Sequence, residues 1–152
     1  MTEIKYLSDS ALATIINDDA ALANNVRAAA DFNNDTELDL GIMYFLQEQF
    51  DATAPAANTK IAELYVLPGD GAATELFPEG GDAGLGTDNT PQKRFLVEVF
   101  ETINPSITVN ELLGGVGLLY PHGNRHVLLN ISGQQFDLTW ELRGKPYKLQ
   151  SV

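Results

Sequence analysis

Cysteine is absent from the 152-residue chain. That excludes a disulfide scaffold, a cysteine nucleophile and any thiolate metal site. Cations are scarce, with nine Lys and Arg against 21 Asp and Glu and a formal charge of −12. Nucleic-acid binding rests on clustered cations, so the balance argues against it. No apolar run approaches the roughly 18 residues of a membrane-spanning helix, and no signal-peptide pattern is expected at the start. No serine sits in a GxSxG elbow. Gly80-Gly81 and Gly84-x-Gly86 lack the lysine and the helix of a phosphate-binding loop. These gaps predict a protein that is not an enzyme and that carries no cofactor.

What is present is enough to build a core. The hydrophobic fraction is 44%, and a chain of this length buries about 68–70% of its unfolded surface. The charge is lopsided: residues 1–91 carry sixteen carboxylates against Lys5, Arg27 and Lys60, whereas residues 92–152 carry five against six cations. An acidic half beside a neutral half suggests one surface that repels and one that docks.

Strand signals dominate. Phe136, Leu138, Trp140 and Leu142 alternate with polar residues, predicting one buried and one wet face. Residues 95–100 are apolar on both faces, and 62–67 form a strand stopped by Pro68-Gly69-Asp70-Gly71. Residues 126–131 read as a strand entered through Pro121-His122-Gly123-Asn124, with 116–120 as its expected partner across that turn. Residues 37–50 read as a long strand, because Gly41 would cost a helix interior about 1 kcal/mol. Residues 26–32 precede it. Glycine and proline punctuate the chain at the spacing of a sandwich. The expected fold is therefore all-β, an antiparallel, jelly-roll-like β-sandwich over 25–152. Residues 1–24 are expected as an arm, either a helix over 8–16 capped by Ser8 or Asp9, or an edge strand at 4–7 followed by loose chain. Removing 1–20 is expected to leave the fold intact. The long Gly-rich, acidic stretch 68–91 is expected as a loop inserted in the sandwich.

Candidate sites are few. Asp70, Glu75, Glu79, Asp82 and Asp88 are hard oxygen donors suited to calcium, though their spacing fits no calcium motif. His122 and His126 lie four apart, but the intervening Gly123 favours a turn with one histidine exposed and one along a strand. Glu98 and Glu101 are a carboxylate pair of the kind any acidic chain contains. Trp140 falls in the core phase. Tyr65, Tyr120 and Tyr147 would suit a carbohydrate-binding face only if the fold gathered them.

The ordered motifs are Leu38-x-Leu40-Gly41-Ile42, Ala54-Pro55, Glu63-Leu64-Tyr65-Val66-Leu67-Pro68 and Phe77-Pro78-x-Gly80-Gly81. There follow Leu118-Leu119-Tyr120-Pro121-x-Gly123, Leu128-Leu129-Asn130-x-Ser132-Gly133-Gln134 and a closing Pro146-Tyr147. Over roughly 25–150 this order of strands and turns resembles the small β-sandwich virion structural proteins of tailed bacteriophages. The first 24 residues have no counterpart in the resemblance. It implies a capsid decoration or cement protein on the outer surface of the virion, bound to the major capsid protein and forming trimers or dimers. The docking surface would be the neutral C-terminal half plus the arm, with Tyr6, Leu7, Arg94, Arg125 and Tyr147 as contacts. The alternative is a carbohydrate- or receptor-binding sandwich of a phage tail, using the 68–91 loop and exposed aromatics.

Overall fold

The computed structural model describes residues 4–7, 12–17, 20–34, 41–69 and 93–151; 4–7, 93 and 148–151 are described in backbone alone. Nine strands run through them: β1 (Ile4–Leu7), β2 (Ala13–Ile16), β3 (Arg27–Asn33), β4 (Gly41–Glu48), β5 (Thr59–Pro68), β6 (Leu96–Thr102), β7 (Glu111–Leu118), β8 (Gly123–Asn130) and β9 (Glu141–Ser151). A 3-10 turn, Lys93–Phe95, leads into β6. No helix among the described residues is long and apolar enough to cross a membrane.

Every pairing is antiparallel. The front sheet runs β1-β9-β4-β7, with β2 also on β9, and the back sheet runs β3-β8-β5-β6. From β3 onward the chain alternates between sheets except at the β5–β6 pair, which is the doubled Greek key of a jelly roll. β2 meets β9 at 142–144 and β1 meets it at 148–151, so the two are halves of one interrupted edge strand.

Period-two patterning builds the core. On β4, Ile42, Tyr44 and Leu46 are wholly buried, and they face Ala62, Leu64 and Val66 of β5 and Leu128 of β8 in one cluster with Trp140, Phe136 and Phe50. A second cluster, Tyr65, Leu67, Val127 and Leu129, lies on the other face of the back sheet, with Phe95, Leu96 and Ile131 packed against it. The apolar residues expected on both faces of 62–67 are thus buried on both. Asn130 ties the end of β8 together: its Nδ2 donates to Leu22 O and Gln134 O, each at 2.8 Å, and its Oδ1 accepts from the Ser132 amide at 2.9 Å. Gly133 follows at φ +79°, a left-handed turn position.

Four expectations are corrected. Residues 13–16 are a strand and not the end of a helix, as the β-branched Thr14, Ile15 and Ile16 favour. Nor do residues 12–17 and 20–24 stand apart as part of an arm. Ile15, Ile16 and Leu22 are buried in the core, and Trp140 Nε1 donates to Ala20 O at 2.8 Å. Residues 116–118 pair with β4 and not with β8, because the turn through Pro121 and His122 carries the chain from one sheet to the other. Finally, the alternation over 136–142 breaks at Leu138, which is 60% exposed. The Trp140 amide closes a turn on Asp137 O, which leaves β9 to start at Glu141. The expected strands at 4–7, 26–32, 62–67 and 126–131, and the 41–48 part of the 37–50 strand, are all present. The 70–91 part of the long loop lies outside the described residues.

Candidate functional site

Strand β7 is built inside out. Its inward positions are Leu113, Gly115 and Gly117, while Leu112, Val116 and Leu118 point outward and are 57%, 58% and 69% exposed. The inward glycines make room for side chains from elsewhere. A Cβ on Gly117 would stand 2.6 Å from the Tyr44 ring, and one on Gly115 would stand 2.6 Å from Glu98 Cγ. With its small residues turned in, β7 turns its apolar residues out. The preceding loop adds exposed Ile103, Ile107 and Val109, so six of the eight large exposed apolar side chains on the described surface fall within 103–118. Runs of that kind mark interaction surfaces.

Neighbouring strands extend this ridge across the front face. By register, Val116 lies beside Met43, which lies beside Lys145; Gly114 lies beside Phe45, which lies beside Arg143. Leu12, Phe45 and Leu112 form a shallow apolar hollow of about 270 Å³ with Arg143 and Lys145 at its rim. An acidic molecule thus presents a front face that is apolar and edged by Arg143 and Lys145, with Glu141 ion-paired to Arg143 at 3.6 Å. The outer face of the back sheet differs, since its apolar residues are already buried in the second cluster.

At the open side, where β6 and β7 approach from opposite sheets, Glu98 Oε2 accepts from the Val116 amide at 3.1 Å and so satisfies an edge-strand donor. Beside it lies a groove of about 370 Å³ lined by Arg94, Val97, Leu118, Tyr120 and Tyr147. Tyr147 lies over Gly41, whose missing side chain leaves space for the ring.

Two polar pairs lie on the inner face of the sandwich, one wholly buried and one with a buried and a half-buried member. Tyr44 and His126 share a 2.9 Å hydrogen bond between the phenol and Nε2, at the centre of the core. Burial pushes the His126 imidazole down to about 4, and burial pushes the Tyr44 phenol well above its ordinary value. At one end of the sandwich, Glu48 takes the next inward position on β4 after Leu46 and lies directly opposite Glu111 of β7. Burial, and then the Glu111 carboxylate, push the Glu48 carboxyl up to about 8, with the Thr102 hydroxyl pulling the other way.

The residues singled out from sequence are dispersed. Tyr6 and Leu7 fall on β1, at the sheet edge, and their side chains lie outside the described residues. Arg94 and Tyr147 come together in the β6–β7 groove. Arg125 is elsewhere, on β8 of the back sheet, forked onto Asp31 of β3 at 2.6 and 2.8 Å. Tyr120 and Tyr147 share the groove, whereas Tyr65 is fully buried. His122 is exposed in its turn at φ 68° and His126 is fully buried. Asp70, Glu75, Glu79, Asp82 and Asp88 lie outside the described residues. Among the described residues no three His, Asp or Glu side chains converge as a metal cluster would. The carboxyl pair at Glu48 and Glu111 escaped the sequence reading, although its signal is there: Glu48 is in phase with Ile42, Tyr44 and Leu46. Comparison with protein families, with characterised proteins and with solved structures finds no match to this chain.

Proposed function

We propose that this chain is a non-catalytic structural protein of a virus particle, a decoration or cement protein that binds the outer surface of the major capsid protein lattice through its front sheet. The observation that carries the docking role is the inverted β7, with glycines inward and Leu112, Val116 and Leu118 outward. The resemblance of its ordered motifs to phage virion sandwiches supplies the partner. Burying one such apolar side chain is worth about 1.5–3 kcal/mol, and repetition over many lattice sites multiplies a weak contact. The cationic rim of Arg143 and Lys145 fits an acidic border on the partner, while the remaining acidic surface repels other particles. A second reading, a carbohydrate-binding module, is favoured by the groove that gathers Arg94, Tyr120 and Tyr147.

The test is co-sedimentation with capsids assembled from the major capsid protein of the virus that this reading assigns the chain to. The double variant Val116→Lys, Leu118→Lys should keep its melting temperature, since both side chains are exposed, yet bind more than about 100-fold more weakly. Unchanged binding by that variant defeats the proposal. Absence of capsid binding, together with glycan binding that is lost on Tyr147→Ala, favours the second reading.

A further inference from the structure

The end of the sandwich that carries Glu48 also carries the 103–110 loop, and Glu111 connects the two. Its Oε1 accepts from the amides of Ile103 and Asn104, both at 2.9 Å, and its Oε2 accepts from the Thr102 hydroxyl. One carboxylate therefore anchors the start of the loop to β7. The rest of the loop is held by Ser106, whose hydroxyl accepts from the Thr108 and Val109 amides at 3.1 Å and whose carbonyl accepts from the Phe50 amide at 2.9 Å. Gln49 Nε2 adds a bond to Ile107 O at 2.9 Å.

Glu48 has a different problem. It is fully buried, and as a carboxylate neither of its oxygens has a hydrogen-bond donor, since the one proton of the nearby Thr102 hydroxyl goes to Glu111. Its cross-strand neighbour is an acceptor whose own oxygens are engaged. Two carboxylates in register can share such a site only if one of them holds a proton. A divalent cation would meet the same charge, but calcium needs six to eight oxygens and no third acidic ligand converges here among the described residues.

We infer that Glu48 and Glu111 form a proton-operated latch: a proton on Glu48, shared with Glu111, keeps Glu111 on the Ile103 and Asn104 amides, and its loss releases the start of the 103–110 loop. The groups facing Glu48 are few. From β7 it meets Glu111, and from β6 the uncharged Thr102. On β9, Glu141 lies opposite Gln47 and near Arg143. Asp137 is tied through its amide to Gln49 O, and Lys60 lies opposite Glu101, away from the pair. Only Glu111 among these charged groups acts on Glu48. Protonation of Glu48 holds through neutrality, and Glu111 is held below its ordinary value: burial opposes this, but Thr102, the two loop amides and Glu48 outweigh it. The latch stands whether or not the front face docks on a capsid.

Amide hydrogen exchange on the full chain, corrected for the intrinsic pH dependence of exchange, tests it. The open population seen at Ile103 and Asn104 should rise about tenfold per pH unit toward pH 8 and then level off, as release of one proton requires. The amides of Asn34 and Gly69, which bond His122 O and Gly123 O at the opposite end of the sandwich, should not follow it. Glu48→Gln should remove the pH dependence at Ile103 and Asn104. Glu111→Gln should move the Glu48 midpoint, followed by carboxyl NMR, to lower pH. The latch is overturned if Glu48→Gln keeps the wild-type profile, if the Glu48 midpoint stays put in Glu111→Gln, or if calcium protects the two amides and a chelator exposes them.

Discussion

Glycine positions carry much of the specificity at the residue scale, and they do so in opposite senses. Gly117 faces the Tyr44 ring, which is held in turn by His126, so a methyl group there has nowhere to go. Gly114 faces outward, and a methyl group added there would have no atom within 4 Å. Gly117→Ala should destabilise the fold by about 1–3 kcal/mol through overpacking. Gly114→Ala should leave stability unchanged or raise it by about 0.4–1 kcal/mol, since it restricts only the unfolded chain. Urea unfolding of the two variants checks the contrast, and equal losses at both sites would contradict it. The run Leu112 to Leu118 shows glycines plainly in the sequence, but not which of them meets a ring. That depends on β4 lying beside β7, a pairing that no local pattern announces.

Elements differ in how far their sequence disclosed them. Strands buried on a regular phase were readable: β4 through Ile42 and Tyr44, and β5 through its apolar run between a turn and Pro68. Strand β7 was not, because three glycines dilute its pattern and its apolar phase points to solvent. The carboxyl pair was hidden for a related reason. Glu48 shows itself as an acid on the buried phase, but Glu111 joins it only through the β4–β7 register. The interrupted edge strand is the clearest revision. β2 brings Ile15 and Ile16 into the core, and the chain after it supplies the acceptor for Trp140. Two buried isoleucines at about 1.5–3 kcal/mol each, and an orphaned indole donor at about 1–3 kcal/mol, are a large share of the 5–15 kcal/mol that a domain has in total. Deleting residues 1–20 should therefore cost at least about 3 kcal/mol in denaturant unfolding. A truncated chain within about 1 kcal/mol of the full one would return these residues to the status of an arm.

For the whole molecule, buried Glu48 and buried His126 bend the dependence of stability on pH in opposite directions. The unfolded chain releases the Glu48 proton near 4.5 and the folded chain near 8, so stability falls as pH rises across that interval, by up to about 1.4 kcal/mol per unit. His126 binds its proton near 6.5 when unfolded and near 4 when folded, so stability falls as pH drops across that interval. Between about 4.5 and 6.5 the two slopes oppose each other, which predicts a plateau on the acid side of neutrality. Glu111, held below its ordinary value, adds to the loss at still lower pH. Denaturant unfolding across a pH series should show that plateau, and a maximum at pH 8 or above would refute it. The edge strand also has a mechanical meaning. Ile4 is paired with Ser151 and Leu7 with Lys148, so the outer ends of β1 and β9 lie side by side. Tension applied at Ile4 and Ser151 meets their ladder one rung at a time, as in opening a zipper, and never loads the rungs together. The fold therefore yields readily to tension applied at these two ends, and resists best a load that shears the β1–β9 ladder and strains every rung at once.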